Sequence, residues 1–150
     1  MNDTLEISRE IAAPPEVVFA ALTDITRMGE WSPETHGAEW VEGSEAAVGA
    51  VFKGQNRSGS NEWETEAVIV ELVPNEHFAF DCRVGDFVFA TWGYRIEATE
   101  AGSLVTEHWE DHRPDEVKEL SVAISGVTDR VSHNQAGMTE TLARLAAAVE

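Results

Sequence analysis

The chain has 150 residues, of which 43% are hydrophobic and 25% are charged, a balance typical of one ordinary globular domain. Its 28 Asp and Glu residues outnumber its 10 Lys and Arg residues and give a formal net charge of −18. Nucleic acids and anionic membranes attract clustered Lys and Arg, whereas the two lysines here, Lys53 and Lys118, are far apart. We therefore expect neither partner.

Other features of the whole sequence favour a cytoplasmic protein. From Met1 onward no basic segment precedes an apolar run, so we predict no secretory signal. No stretch approaches the ~20 apolar residues that span a bilayer. Cys82 is the single cysteine, which excludes an internal disulfide. We predict a soluble protein with one domain over residues 1–150, either a monomer or a homodimer joined at exposed sheet edges.

The first residues of the chain predict one strand and two short helices. Apolar and polar residues alternate over residues 4–11, which is the period of a half-buried strand. Pro14 and Pro15 then open a helix, because proline is tolerated in the first turn. A second short helix or helical turn is predicted over residues 26–34 and is ended by Pro33.

Between residues 38 and 113 the pattern changes to strands separated by short turns. The predicted strands cover residues 38–42, 50–56, 61–73, 77–84, 87–99 and 103–113. The separators are rich in Gly, Pro, Asn, Asp and Ser, which suit tight turns. Strands joined so briefly pair antiparallel, because a parallel crossover takes about a dozen residues or more. The sequence therefore predicts an antiparallel meander.

Two helices are predicted after the meander. Residues 114–125 carry Val117, Leu120 and Ile124 at helical spacing, and Gly126 ends this helix. A longer helix follows. Its predicted inward face consists of Val127, Val131, Asn134, Met138, Leu142, Leu145 and Val149. A glycine within it, Gly137, costs about 1 kcal/mol relative to alanine and marks either the close approach of another element or open space.

This order of elements predicts an α+β fold. A curved antiparallel sheet wraps around the long C-terminal helix, and two short helices follow the first strand. One helix cannot cover the whole concave side of so long a sheet. The gap between sheet and helix is therefore the natural place for a ligand.

Several segments, in this order, resemble the START-like (SRPBCC) superfamily and, within it, the polyketide cyclase/dehydrase-type branch. They are residues 11–19 (IAAPPEVVF), 31–33 (WSP), 92–96 (WGYRI), 102–107 (GSLVTE) and 134–145 (NQAGMTETLARL). The resemblance covers nearly the whole chain. It implies a helix-grip fold with an internal cavity for hydrophobic small molecules, in a family that includes carriers, cyclases and aromatases.

The aromatic residues are candidates for the wall of that cavity. Five tryptophans occur in this short chain, and such large rings belong either in a thick core or around a cavity. The predicted ligand-binding residues are Trp31, Trp63, Phe80, Phe89, Trp92, Tyr94, Trp109, Met138 and Leu142. We expect Trp31 near the entrance, with residues 114–126 as a candidate lid. An enclosed apolar pocket of ~300–1,000 Å³ would distinguish a ligand site from an ordinary core.

Strand periodicity singles out Glu107, which shares a face with Trp109 and is therefore expected in or beside the cavity. A buried carboxylate needs a partner, and Arg83 and Arg95 on neighbouring strands are the expected cations. In a structural interpretation this ion pair fixes the strand register. In a catalytic one Glu107 is a general acid or base, and Arg83 or Tyr94 orients a carbonyl.

Metal and nucleophile chemistry are poorly supported by the sequence. His108 and His112 would share one face of a helix, but on a strand they stand about 13 Å apart at ~3.3 Å per residue. We therefore predict no metal site, and we predict no cofactor. Cys82 has no activating residue evident beside it and is interpreted as a small buried hydrophobe.

Three functions remain open at this point. The first is binding of a hydrophobic, ring-containing small molecule in an internal cavity. The second is a polyketide cyclase/aromatase-type enzyme that uses Glu107, Tyr94 and Arg83. The third is a protein-interaction role, as in co-chaperone-like relatives within the superfamily that the chain resembles.

Overall fold

The computed structural model describes residues 3–150, and its seven strands form one curved antiparallel sheet. The strands are β1 (Thr4–Ile11), β2 (Thr35–Glu42), β3 (Val51–Ser58), β4 (Asn61–Val73), β5 (His77–Val84), β6 (Phe87–Thr99) and β7 (Gly102–Asp111). Their order across the sheet is β1-β7-β6-β5-β4-β3-β2, so β2 to β7 form the predicted meander.

Three α-helices and one 3-10 helix complete the fold and confirm the predicted helix-grip architecture. They are α1 (Pro15–Thr23), the 3-10 helix (Ile25–Glu30), α2 (Asp115–Ser125) and α3 (Arg130–Val149). Residues 1 and 2, with which the predicted domain and the signal-free N-terminus begin, lie outside the described residues. The single domain over residues 1–150 stays a prediction.

Local hydrogen bonds explain where elements depart from their predicted bounds. The 3-10 helix ends at Glu30 rather than at residue 34, and β2 begins at Thr35, whose hydroxyl donates to Asn56 Oδ1 at 2.7 Å. Strand β7 ends at Asp111, because its carboxylate accepts a hydrogen bond from the Arg113 backbone and turns the chain. Helix α3 begins after Asp129, whose side chain caps the backbone N–H of Ser132 at 3.1 Å.

The core lies between one side of the sheet, here called the inner face, and α3. The buried residues of α3 are Asn134, Met138, Thr141, Leu142, Leu145 and Ala146. Val131 and Val149 of the predicted face are half-buried and pack against this core. Cys82 belongs to the core, as predicted, and burial raises the pKa of its thiol to about 12.

Helix α2 shows that helical spacing alone does not fix the buried side. Leu120 and Ile124 are 64% and 51% exposed, whereas Ser125 is buried. The helix starts beside the end of β7 and ends at Asn61, whose side-chain amide donates to the Ser125 carbonyl at 3.4 Å. It therefore crosses one end of the sheet from β7 to β4. Gly126 ends it in the left-handed conformation, with φ 74°.

Candidate functional site

The inner face of the sheet carries four of the nine predicted ligand-binding residues in two adjacent cross-strand rows. Trp109 of β7 lies opposite Trp92 of β6, and Trp92 lies opposite Phe80 of β5. The ring centroids of Trp92 and Trp109 are 6.0 Å apart. In the neighbouring row Glu107 lies opposite Tyr94, and Tyr94 lies opposite Phe78. Sequence alternation alone placed Glu107 and Trp109 on this face correctly.

The predicted ligand-binding residues differ in how deeply they are buried. The buried ones are Trp31, Phe80, Tyr94, Trp109, Met138 and Leu142. The half-buried ones are Trp63, Phe89 and Trp92. Phe89 and Trp92 pack against the core. Trp31, expected near an entrance, is only 2% exposed, and the Arg27 guanidinium lies 5.2 Å from its ring centroid.

Glu107 and Tyr94 form a polar pair inside this apolar surface. The Tyr94 hydroxyl donates to Glu107 Oε2 at 3.3 Å, and the two residues are 8% and 4% exposed. Burial raises the pKa of the Glu107 carboxyl to about 8, and the hydrogen bond from Tyr94 opposes this only in part. Burial and the nearby Glu107 also raise the pKa of Tyr94 well above its ordinary range. Glu107 therefore carries its proton at neutral pH.

The expected ion pair between Glu107 and an arginine is wrong. Arg83 Nε lies 2.8 Å from Glu66 Oε1, and Arg95 pairs with Glu6. Both guanidiniums lie on the other side of the sheet, here called the outer face. Side chains alternate along β6, so Arg95 points away once its neighbour Tyr94 faces inward. Arg83 follows the buried Phe80 and Cys82 along β5, so alternation points it away as well. The structure therefore brings Glu107 and Tyr94 together without Arg83.

Histidines form a separate cluster on the outer face. His77 Nε2 and His108 Nε2 are 3.0 Å apart, while His112 Nε2 lies 2.9 Å from the Thr91 hydroxyl. Burial, followed by the nearby His77 and Arg95, lowers the pKa of His108 to about 4. His108 and His112 thus have different partners. Residues 3–150 gather no three His, Cys, Asp or Glu side chains that could hold a metal ion.

A second buried polar group, Asn134, faces the sheet from α3 and is absent from the predicted site residues. It is 4% exposed. Its amide oxygen accepts from Arg130 at 3.3 Å, and Arg130 in turn lies 2.7 Å from Glu34. Burial acts to raise the pKa of Glu34, but hydrogen bonds from His133 and Arg130 outweigh it and hold that pKa below its usual range. A polar residue on the apolar face of a predicted helix was the signal that could have identified Asn134.

Two surface depressions on the described residues lie away from this inner face. One, of about 400 Å³, is lined by residues between 42 and 50. The other, of about 370 Å³, is lined by residues 12–15 and 98–102. Both are open to solvent, and neither includes a predicted ligand-binding residue. The internal cavity stays a prediction.

Packing around α3 accounts for the glycine in that helix. A Cβ atom added at Gly137 would lie 3.6 Å from Pro33 Cγ, which is ordinary van der Waals contact. Gly137 thus marks the approach of the segment before β2, one of the two explanations that its position allowed.

No helix within residues 3–150 is long and apolar enough to cross a membrane.

Comparison with solved structures identifies the fold independently of the sequence pattern. The crystal structure of protein CV1439 from Chromobacterium violaceum is 22% identical, has a TM-score of 0.73 and covers 99% of this chain and 98% of that chain. Major latex-like protein 151 from Panax ginseng is 15% identical, has a TM-score of 0.76 and covers 100% of this chain and 99% of its own. At these identities the likeness shows the fold alone.

Sequence similarity identifies the family. The solution structure of the Polyketide_cyc-like protein Cgl2372 from Corynebacterium glutamicum is 33% identical, with a TM-score of 0.65, and covers 97% of this chain and 90% of that chain. No curated protein sequence matches the chain. The model of the family described as polyketide cyclase / dehydrase and lipid transport matches residues 3–150. The chain therefore belongs to this family, within the START-like (SRPBCC) superfamily.

Proposed function

We propose that this protein binds a hydrophobic, ring-containing small molecule between the inner face of the sheet and α3. The observation that carries the proposal is that Trp92 is only half-buried. It lies midway along β6 on the inner face of the sheet, which the core covers elsewhere. Helix α3 packs mainly against β1, α1 packs on β5 and β6, and α2 reaches β4. Within the sheet, Trp92 has Trp109 and Phe80 on either side of it.

The chemistry of the inner face supports a ring-containing ligand. Aromatic side chains bind flat apolar molecules through large contact areas and through stacked or edge-to-face ring geometry. Phe80, beside Trp92, already packs edge-to-face on Phe52, with ring centroids 5.1 Å apart. The family description includes lipid transport, which also fits an apolar ligand.

Fluorescence titration with N-phenyl-1-naphthylamine, an uncharged ring dye, tests the proposal. We expect a saturable increase in emission, because the dye brightens on leaving water. Trp92→Ala removes contact area and Met138→Trp places a larger side chain in the proposed binding region, so each should weaken binding several-fold. Val41→Ala, at a half-exposed position on β2, is the matched control. Unchanged affinity in both inner-face variants, with native circular dichroism, would contradict the proposal.

A second candidate function is a cyclase or aromatase-type reaction, and the Glu107–Tyr94 pair is the observation that favours it. A carboxyl group with a pKa near the working pH suits general acid catalysis, and that of Glu107 is about 8. Arg83 is no longer part of this candidate set, because it pairs with Glu66 on the outer face. Glu107→Gln should abolish turnover of a poly-carbonyl precursor while the fold persists. Retained turnover would remove Glu107 from any mechanism.

A further inference from the structure

Two deeply buried side-chain atoms, one on the inner face of the sheet and one on α3, have no hydrogen-bond partner among the described residues. They are Glu107 Oε1 on β7 and Asn134 Nδ2 on α3. Both residues are 4% exposed. Leaving a buried polar group unsatisfied costs about 1–3 kcal/mol, so such groups are rare unless a partner binds there. Glu107 lies beside β1 and β6 in the sheet and Asn134 lies beside Arg130, so each atom leaves a place for a partner in its own surroundings.

Both atoms act as hydrogen-bond donors. Glu107 Oε2 already accepts from the Tyr94 hydroxyl, and the carboxyl group holds its proton at neutral pH, which makes Oε1 the side that can donate. The amide oxygen of Asn134 is occupied by Arg130, which leaves the Nδ2 hydrogens. A partner of either group must therefore present a hydrogen-bond acceptor.

The surroundings of Glu107 also disfavour a charged ligand. Tyr94 is its titratable contact, and Ile7 is its neighbour on β1. Arg9 has the same strand parity on β1 but is exposed. The buried residues of α1 are Val18, Ala21 and Leu22, and those of α3 likewise carry no charge. A carboxylate headgroup placed here would be desolvated without a neighbouring cation, which is costly.

We propose that the ligand is an uncharged molecule whose carbonyl or hydroxyl oxygen accepts a hydrogen bond from Glu107, and not a fatty acid or another anion. This inference rests on the proposed function and adds the ligand's polar group to it. The hydrophobic rings supply contact area, whereas the hydrogen-bond donor at Glu107 selects the position of the oxygen.

Three naphthalene probes of similar shape test this selectivity by displacement of N-phenyl-1-naphthylamine. They are 2-acetylnaphthalene, 2-isopropylnaphthalene and 2-naphthoate. At pH 6.5 we expect 2-acetylnaphthalene to bind best and 2-naphthoate to bind worst. Glu107→Leu should weaken 2-acetylnaphthalene about tenfold, the worth of a hydrogen bond of about 1.4 kcal/mol, and leave 2-isopropylnaphthalene unchanged.

The dependence of ligand affinity on pH is a second readout, and a purely structural role of Glu107 would not change it. Above pH 8 the ionised Glu107 has no hydrogen to donate, so the affinity for 2-acetylnaphthalene should fall while that for 2-isopropylnaphthalene stays constant. Glu107→Gln keeps a donor at every pH and should give a flat profile. Glu66→Gln, on the outer face, is the matched control and should retain the wild-type profile.

The outcomes separate this inference from the proposed function. If the dye binds but Glu107→Leu weakens the ketone and the hydrocarbon equally, or if 2-naphthoate binds best, the inference is overturned and the proposed function stands. If neither the dye nor any naphthalene binds the folded wild-type protein, both are overturned. Should Glu107→Leu fail to fold, the pH profiles of the wild type and of Glu107→Gln decide the question alone.

Discussion

The neighbouring residues Tyr94 and Arg95 of β6, and Glu107 and His108 of β7, point to opposite faces of the sheet and meet different partners. On the outer face, Arg95 pairs with Glu6 and His108 contacts His77. On the inner face, the residues next to them in the chain are Tyr94 and Glu107, which bond to each other and to no cation. The partly exposed Arg95 and Glu6 keep their charges at little cost, because water screens them. The buried Glu107 carboxyl, which has no cation beside it, instead stays neutral and offers a hydrogen-bond donor to the apolar interior.

Removing a ring from the inner face should have the largest effect on stability. Phe78 is fully buried and lies opposite Tyr94. Phe78→Ala should lower the free energy of unfolding by about 3–5 kcal/mol, because it removes apolar contact and leaves a cavity. Urea denaturation followed by circular dichroism measures the change. A loss below about 1 kcal/mol would show that the inner face is loosely packed at this row.

The pH dependence of stability should isolate the buried carboxyl. The pKa of Glu107 is about 8 in the folded chain, against an ordinary 4.5, so between these values the unfolded chain loses a proton that the folded chain keeps. The free energy of unfolding should therefore fall as pH rises, by up to about 1.4 kcal/mol per pH unit relative to Glu107→Gln, or about 3 kcal/mol from pH 5.5 to 7.5. If the free energy of unfolding of the wild type and of Glu107→Gln changed equally with pH, this would contradict a buried, neutral Glu107 carboxyl.

His108 on the outer face should show the opposite sign. The pKa of His108 is about 4 in the folded chain, below its ordinary 6.5. Between these values the imidazole binds a proton in the unfolded chain but not in the folded one. Stability relative to His108→Gln should therefore fall as pH decreases from 6.5 towards 4. We expect a smaller effect than for Glu107, because this imidazole is only partly buried. If stability relative to Glu107→Gln and stability relative to His108→Gln changed with pH in the same direction and by the same amount, the predicted contrast between the two faces would be wrong.

Packing on the outer face can be disrupted at Gly93, which lies against the imidazole of His108, one of the two paired histidines. A Cβ atom there would lie 2.5 Å from His108 Nε2 and 2.8 Å from Ala79 Cβ, and the latter is fixed to its backbone. Gly93→Ala should cost about 1–3 kcal/mol by overpacking and should shift the NMR signals of His77 and His108. Gly37→Ala is the matched control, because its Cβ would meet only the mobile end of Gln55, at 3.1 Å.

The smallest effect is expected for the charged pairs on the outer face. Arg83→Gln removes the pair with Glu66, whose side chain is 41% exposed, and should cost less than about 1 kcal/mol. The difference should shrink further in 1 M salt, where the Debye length is about 3 Å. A loss comparable to that of Phe78→Ala would mean that this pair stabilises the protein as strongly as the core does.

Alternation and turn residues predicted most of the sheet. Strands β4, β5 and β6 have the predicted bounds, because Pro74, Asn75, Gly85 and their neighbours punctuate them clearly. Periodicity also placed Glu107 inward. Its partner could not be predicted in the same way, because the pairing of Glu107 with Tyr94 depends on the register between β6 and β7, which alternation within one strand does not determine.

Helix faces were harder to predict than strand faces. The spacing of Val117, Leu120 and Ile124 identified α2, but the helix buries Ser125 and leaves Leu120 exposed. Its orientation follows from where the chain leaves β7 and from the bond between Asn61 and Ser125, neither of which is encoded in local periodicity. Asn134 was overlooked for a related reason. A polar residue on an apolar helix face can be recognised as part of a site only when the residues opposite it are known.

The placement of β1 at the edge beside β7 sets the order in which this sheet can be completed during synthesis. The Ser8 hydroxyl bonds to that of Thr106, 98 residues further along the chain. At ribosomal rates of roughly 5–20 residues per second, β1 waits about 5–20 s for its partner, while β2 to β7 add hairpin by hairpin as they emerge. The first strand to be made is thus the last to be paired. Its apolar side, with Leu5 and Ile7, is the surface that a nascent-chain chaperone would need to protect.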